Sequence, residues 1–270
     1  MIRIAMVEVS PAVMVFTRLV LGSLLLLPWA MRQGSLVVLK THWKPIIWFG
    51  LLEMAFPWAA IGYAEQRISS SLAALLIASV PMVNGLIAKQ MKLDLDWDIR
   101  RIIGIAVGLG GVVTLVGLDV KADSWWAVAV CMITVMGYST APILISAKLV
   151  DVPSSGIITL GMIFVALLYL PIVLWQIHND SWHTGAVHLD TWLALAWLGV
   201  VCTAIAFIAF FALIDEIGPI RSSVITYINP AVAVTLGVLF LSEPITLGLI
   251  IGFPLVVLGS YLATRKPIQT

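Results

Sequence analysis

Long apolar stretches alternate with short polar connections along the whole chain. Runs of roughly 18–24 apolar residues have the length that crosses a hydrocarbon core of about 30 Å. Nine such runs are present, at approximately 12–31, 45–64, 70–90, 101–118, 124–147, 155–177, 191–213, 220–241 and 246–264. Most of the charges and turn formers lie in the connections between them. The pattern therefore predicts an all-α integral membrane protein with no soluble domain.

A sequence repeat relates the two halves of the chain. Residues 48–83 align with residues 197–232 without a gap, at a spacing of 149. The alignment is supported by identities in which Trp48, Gly50, Ala55, Ala60, Ile68, Pro81 and Val83 fall on Trp197, Gly199, Ala204, Ala209, Ile217, Pro230 and Val232. We interpret residues 1–119 and 124–264 as two half-repeats, an organisation that secondary transporters use.

The repeat predicts five spans in each half. Because five is odd, the second half begins on the opposite side of the membrane, and the repeat is inverted. A match of Val9 with Val152, at a spacing of 143, sets the start of the chain opposite the end of the span 124–147. We therefore expect the first half to lack its opening helix, about 20 residues, so that nine spans of a 5+5 arrangement are complete. A genuine nine-helix variant is the alternative.

Composition and charge narrow the class of protein. Hydrophobic residues make up 61% of the chain and charged residues 11%, with a mean hydropathy of +1.08, so the surrounding solvent must be lipid. The formal net charge of +1 provides no field that would attract nucleic acid. The chain has no glycine-rich phosphate loop and no compact set of metal ligands, so the sequence predicts no cofactor and no metal.

The distribution of basic residues predicts the orientation. Eleven Lys and Arg residues lie in the connections of one predicted face, and three lie on the other. Because basic residues in short connections stay in the cytoplasm, the face with eleven is predicted to be cytoplasmic. We expect a multi-pass protein of the inner (plasma) membrane of the cell, with its C-terminus in the cytoplasm.

Two related stretches carry a family resemblance. The first runs from Ala64 to Pro81, and the second runs from Ile217 to Pro230 and continues with a Ser-Glu-Pro motif that ends at Pro244. Both resemble the EamA domain of the drug/metabolite transporter superfamily. The first half departs from that pattern, because its connection at 93–98 reads Leu-Asp-Leu-Asp-Trp-Asp where the second half has Ser-Glu-Pro.

The resemblance implies a ten-helix bundle whose central cavity opens to the two membrane faces in turn. It also implies a secondary transporter, acting as an exporter, for a small metabolite, amino acid or drug-like solute. A membrane-embedded enzyme acting on a lipid substrate and an inactive transporter fragment are the alternatives. Enzymes of that kind usually hold a phosphate or metal with clustered His, Asp or Arg at one interface. The predicted cytoplasmic connections contain no convergent cluster, which favours a protein that is not an enzyme.

Two charged residues fall inside predicted spans. Glu53 lies at the centre of the span 45–64, and Arg18 lies about one turn from the centre of the span 12–31. An ionised side chain there costs a few kcal/mol unless it is paired or hydrated, which makes both residues candidates for a solute pathway. Their repeat counterparts are Cys202 and Gly161, so the shared scaffold does not require either charge. The alternatives are a static ion pair between the two and a role in substrate binding or proton coupling.

Polar and proline residues near the middle of other spans form a second group of candidates. Pro81 and Pro230 occupy equivalent positions, and each frees a backbone carbonyl one turn earlier, which is tolerated where a helix lines a cavity. Interhelical hydrogen bonding is the alternative reading of the polar side chains around them. No catalytic residue is predicted; the candidates for substrate binding or coupling are Glu53, Arg18, Trp58, Ser79, Pro81, Asn84, Tyr138, Tyr227, Asn229 and Pro230.

Glycines recur at helical spacing in two spans. They are Gly104, Gly108 and Gly111 in the span 101–118, and Gly248 and Gly252 in the span 246–264. Small residues at this spacing let helix backbones approach closely. A homodimer face and close packing within one bundle would each explain them.

Overall fold

The structure, a computed structural model, describes residues 1–92, 97–119, 124–149, 152–179, 187–217 and 225–264. Within these residues the secondary structure is helical, with no strand. The α-helices, in chain order, are α1 (Ile2–Ala5), α2 (Pro11–Arg32), α3 (Leu39–Gly50), α4 (Phe56–Ala64), α5 (Ser70–Ile77), α6 (Val80–Gln90), α7 (Ile99–Asp119), α8 (Trp125–Lys148), α9 (Ser154–His178), α10 (Leu189–Gly199), α11 (Ala206–Ile217), α12 (Ile225–Leu241) and α13 (Leu247–Thr264).

The predicted fold class, an all-α integral membrane protein, is confirmed. Eight helical stretches of the described residues are long and apolar enough to cross a membrane, and they match eight of the predicted spans. The ninth prediction, 220–241, corresponds to a shorter apolar stretch, Ile228–Leu241, inside α12; residues 218–224 lie outside the described part of the chain. The inverted 5+5 repeat stays a prediction.

Two membrane-spanning stretches contain a π-helical segment at equivalent repeat positions. The first π segment, Leu51–Ala55, joins α3 to α4, and the second π segment, Val200–Ile205, joins α10 to α11. Their first residues are separated by the repeat spacing of 149. A π turn inserts an extra residue into the α-helical ladder, and such insertions are frequent at functional sites. The apolar pattern of the sequence does not reveal them.

The stretch Ser70–Gln90 is broken near its middle. Helix α5 ends at Ile77 and α6 begins at Val80, with Pro81 in its first turn. Proline cannot donate to the carbonyl four residues earlier, and it is tolerated in the first turn of a new helix, so the break that Pro81 predicts is present. Pro230, by contrast, lies inside the continuous helix α12.

The chain divides into two compact units that do not follow the sequence halves. Unit 1 contains Met1–Tyr63 and Ala141–Ser222, and unit 2 contains Ala64–Thr140 and Ser223–Thr270. In unit 1, α2 packs against α9 and α10, and α3 packs against α9. In unit 2, α7 packs along α13, and α5 packs against α12. Each unit therefore combines helices from both halves of the repeat.

Polar contacts join α2 and α9 at both ends of this helix pair in unit 1. At one end the Ser10 hydroxyl donates to the Gln176 side-chain oxygen over 2.7 Å. At the other end the Ser155 hydroxyl donates to the Gln33 side-chain oxygen over 2.5 Å. The start of α2 therefore lies beside the end of α9, and the end of α2 lies beside the start of α9, so the two helices are antiparallel. Which of these ends faces the cytoplasm stays a prediction.

A carboxylate ties the start of the chain to the start of α10. Glu8 accepts from the backbone N–H of His188 (2.9 Å) and from the Thr191 hydroxyl (2.7 Å), and it also contacts the His188 ring nitrogen Nδ1. Hydrogen bonds from Thr191 and then His188 lower the pKa of Glu8. The hydrogen bond to Glu8 raises the pKa of His188, and Asp190 adds to that rise.

The Glu8–His188 contact predicts a pH dependence of stability. Its contribution is lost as pH falls through the lowered pKa of Glu8 and as pH rises through the raised pKa of His188. It is fully present between the ordinary pKa values of 4.5 and 6.5. We expect a small fall in the thermal unfolding midpoint from pH 6 to pH 8, which Glu8→Gln removes. An identical pH profile in wild type and Glu8→Gln would contradict the contribution of this contact.

The predicted glycine stripes lie between α7 and α13 within one chain. A methyl group built on Gly104 would lie 2.6 Å from the backbone nitrogen of Ala263, and one on Gly111 would lie 2.8 Å from that of Val256. A methyl group on Gly252 would lie 3.0 Å from the carbonyl oxygen of Gly111. Close intrachain packing therefore accounts for these glycines, and the homodimer stays a prediction.

A matched pair of glycine substitutions tests this packing. Gly111→Ala forces a methyl group against a backbone, which cannot move aside as a flexible side chain can, so we expect a loss of about 1–3 kcal/mol in unfolding free energy. Gly110 lies on the same helix with no atom within 4 Å of the added methyl, so Gly110→Ala should be neutral or slightly stabilising. Thermal unfolding of both variants in detergent measures the difference. Equal effects would refute the packing argument.

Candidate functional site

The first candidate residue, Glu53, lies in the middle of the first π segment. Its side chain is partly buried. Within the described residues, its carboxylate makes no hydrogen bond and no ion pair. An ionised carboxylate accepts hydrogen bonds and donates none. The Glu53 carboxylate is therefore an acceptor to which no described residue donates a hydrogen bond.

The second candidate, Arg18 on α2, is held by the second π segment and by α4. Its Nε atom donates to the hydroxyl of Thr203 over 2.7 Å, and its Nη2 atom lies 3.4 Å from the carbonyl oxygen of Cys202. The guanidinium carbon lies 3.7 Å from the centre of a Trp58 ring, a cation–π contact. Trp58 is buried, so the candidates Arg18 and Trp58 are brought together inside unit 1.

The predicted pair of Glu53 with Arg18 is not formed. Arg18 reaches the segment that contains Cys202, and Cys202 is the repeat counterpart of Glu53. The arginine of the first half therefore contacts the second-half position that is equivalent to Glu53, and not Glu53 itself. A static ion pair does not describe these two residues in the structure.

Side chains satisfy carbonyl groups in and next to both π segments. The hydroxyl of Tyr169 on α9 donates to the carbonyl oxygen of Ala55 over 2.8 Å. The hydroxyl of Thr203 donates to the carbonyl oxygen of Leu198 over 2.8 Å. A π turn disturbs the regular backbone ladder, and in a membrane the affected polar groups need partners from the protein. Tyr169 and Thr203 were not predicted as site residues, because the repeat alone does not indicate which helices meet.

In unit 2 the polar candidates are used in hydrogen bonds between and within helices. The Asn84 amide nitrogen donates to the carbonyl oxygen of Ser139 over 2.8 Å, next to Tyr138. The Ser139 hydroxyl lies 2.6 Å from the carbonyl oxygen of Val135 and 3.2 Å from that of Val80. The Ser79 hydroxyl donates over 2.6 Å to the carbonyl oxygen one turn earlier. The contacts of Asn84 with Ser139 and of Ser139 with Val80 are interhelical hydrogen bonds, the alternative that the sequence left open.

The candidates on α12 are only partly described. Asn229 is exposed and Pro230 is buried, whereas the side chain of Tyr227 lies outside the described part of the structure. Residues 93–96, where the first half departs from the Ser-Glu-Pro pattern, also lie outside it.

A buried carboxylate that the sequence did not assign holds the start of α5. Glu243 of the Ser-Glu-Pro motif is 6% exposed. It accepts from the backbone N–H groups of Ser70 (2.7 Å) and Ser71 (3.0 Å) and from the Ser71 hydroxyl (2.5 Å). The first N–H groups of a helix have no partner within the helix, so a carboxylate there both satisfies them and interacts favourably with the helix dipole. Glu243 is a structural anchor of unit 2.

A cleft of about 290 Å³ lies beside this anchor in unit 2. Its walls include Arg67, Ser71, Asp119 and Thr246. Asp119 is already engaged there, because it accepts from the Thr246 hydroxyl over 2.5 Å and from the Gly248 backbone N–H over 3.1 Å. Among the described wall residues there is none of the candidates predicted from the sequence.

Comparison with known proteins identifies the family. A profile described as the EamA-like transporter family matches residues 1–117 and 125–265. The chain belongs to the EamA-like transporter family. The predicted resemblance is therefore confirmed, and so is the broad conclusion that the protein is a membrane transporter.

Individual relatives of this EamA-family chain are similarly named. An uncharacterized inner membrane transporter of Escherichia coli strain K12, YedA, is 25% identical over 99% of this chain and 88% of its own length. An uncharacterized transporter of Bacillus subtilis strain 168, YoaV, is 22% identical over 97% of this chain and 90% of its own. A crystal structure shares the fold, with a TM-score of 0.68 and 19% identity over 96% of this chain and 89% of that one.

Proposed function

We propose that this EamA-family chain is a secondary transporter that exports a small solute by alternating access. The half-repeats 1–119 and 124–264 would supply the two related parts of that mechanism. We further propose that it lies in the inner membrane, as the relative YedA is named, with its C-terminus in the cytoplasm. The relatives named as transporters favour this function over a lipid-modifying enzyme.

The observation that carries the proposal is the carboxylate of Glu53. It lies in the middle of a membrane-spanning stretch, in a π segment, and the described residues provide it with no partner. Intramembrane ionisable residues of this kind mark solute and proton pathways. We propose that Glu53 binds the solute or a coupling proton, and that Arg18 and Trp58 support the same pathway.

The remaining candidates are proposed as neutral contacts of the solute. They are Ser79, Pro81, Asn84, Tyr138, Tyr227, Asn229 and Pro230. The hydrogen bonds of Asn84 and Ser79 would position these two side chains, and Asn229 is exposed.

Transport by purified protein tests the proposal. The chain would be reconstituted into proteoliposomes and supplied with a panel of labelled amino acids, amines and organic acids, with and without a proton gradient. We expect protein-dependent movement of at least one solute, accelerated by its own gradient or by the proton gradient. If the purified protein shows a thermal unfolding transition, and is therefore folded, but moves no member of the panel, the proposed function is overturned.

A further inference from the structure

We infer that the transported solute is a small organic cation with N–H donors, such as a protonated amine, and that Glu53 is its counter-charge. The inference rests on the proposed function and names the class of substrate at the same site. It follows from a difference in contacts between the two central charged residues, because described residues bind Arg18 and none of them donates to Glu53.

Other residues of unit 1 contact the Arg18 guanidinium on one face and along its side edge, the edge that carries Nε and Nη2. A guanidinium recognises a carboxylate through two parallel N–H donors. On the side edge of Arg18, Nε donates to Thr203 and Nη2 points to the carbonyl oxygen of Cys202, so that edge is engaged. Trp58 covers a face of the guanidinium. Arg18 is therefore placed as a fixed part of unit 1, and one of the two edges by which a guanidinium can bind a carboxylate is occupied.

Glu53 is in the opposite situation. Its two oxygens accept hydrogen bonds, and the described residues provide no donor to either of them. A carboxylate inside a membrane span is costly unless a partner compensates its charge. A ligand with a positive charge and N–H donors meets both requirements, whereas a carboxylate on the ligand would be repelled by Glu53.

The repeat gives an internal comparison. The position equivalent to Glu53 is Cys202, in the second π segment. The carbonyl oxygen of Cys202 accepts from Arg18 of the same chain. The first π segment has no equivalent arginine, since the counterpart of Arg18 is Gly161, which lies beside Phe49 and Gly50. The second π segment thus contacts a cation of the chain itself, Arg18. The first π segment contains a carboxylate, Glu53, that a cationic solute would neutralise.

Three probes with the same aromatic ring test the inference. Tyramine, tyrosine and 3-(4-hydroxyphenyl)propionate carry a net positive, zero and negative charge at neutral pH. We expect proteoliposomes to move tyramine at least about tenfold faster than the other two, because Glu53 repels the carboxylate of tyrosine and of the propionate, and the propionate also lacks the ammonium donors. Glu53→Gln should remove this preference, and Glu53→Asp should keep it at a lower rate. Glu216→Gln, which neutralises an exposed carboxylate at the end of α11 in the same unit, should leave it unchanged.

The outcomes separate this inference from the proposed function. Faster movement of tyrosine or the propionate, or a tyramine preference that survives in folded Glu53→Gln, would show that the substrate class is wrong. Movement of amino acids or organic acids without movement of tyramine or of any other amine would also refute the cation inference, while the transporter function would stand. A lack of movement of every solute would overturn both. Tyramine should also raise the unfolding midpoint of the wild type and not that of Glu53→Gln, which checks binding independently of transport.

Discussion

Glu53→Gln is expected to lower transport of the solute that the wild-type protein moves by at least about tenfold, while leaving the unfolding midpoint close to that of the wild type. Glutamine keeps the size of the side chain, but it can neither compensate a positive charge nor carry a coupling proton. Because no described residue donates to Glu53, we expect the loss of its charge to break no contact among the described residues. The measurement is initial uptake into proteoliposomes at matched protein content, with thermal unfolding in detergent alongside.

The same variant distinguishes the pathway from a static ion pair. If Glu53 and Arg18 held two helices together, breaking the pair would leave an uncompensated charge and cost about 3–5 kcal/mol of stability. Glu53→Gln would then unfold at a markedly lower temperature. Glu216→Gln controls for the loss of a carboxylate as such, since Glu216 is exposed at the end of α11. A destabilised Glu53→Gln, or a stable one with full transport, would each contradict the pathway role.

Glu243→Ala is expected to be the most destabilising single substitution considered for unit 2. It removes the acceptor of two backbone N–H groups and one hydroxyl at the start of α5, where the donors are buried or partly buried. Hydrogen bonds to charged groups are worth more than neutral ones, and unpaired donors add a penalty, so we expect a loss of about 3 kcal/mol or more. For a chain of this size that corresponds to a fall of roughly 6–12 °C in the unfolding midpoint.

Two further variants define the role of Glu243. Glu243→Gln keeps one acceptor oxygen and should lose less stability than Glu243→Ala. Thr235→Ala on α12 removes an exposed hydroxyl that bonds only to its own helix, and it should change stability by less than about 0.5 kcal/mol. If Glu243→Ala unfolds at the wild-type temperature, the carboxylate does not anchor α5.

The membrane-spanning pattern could be predicted from sequence because it depends on local composition. An uninterrupted apolar run such as 155–177 has one way to satisfy its backbone in lipid, namely as a helix, and α9 matches it closely. The break at Pro81 was only partly predictable, because its missing N–H favours a break there, yet its repeat counterpart Pro230 lies inside a continuous helix.

The details of the site could not be predicted, because they depend on which helices meet. Nothing in the residues near Arg18 indicates that Thr203 and Cys202 would be its partners, and proximity along the chain favoured Glu53 instead. The π segments escaped prediction because an extra residue in a helical turn leaves the apolar pattern unchanged. Glu243 was part of a recognised motif, yet its partners at the start of α5 became evident only from packing.

The mixed composition of unit 1 has a consequence for how the protein is made. Arg18 and its hydrogen-bond partner Thr203 are 185 residues apart in the chain. At a synthesis rate of about 5–20 residues per second, the ribosome adds Thr203 roughly 10–40 s after Arg18. During that interval α2 is in the bilayer without the second π segment, so apart from Trp58 its arginine must be sheltered by water, lipid headgroups or the insertion machinery. Assembly of unit 1 is therefore a late event that must wait for the second half of the chain.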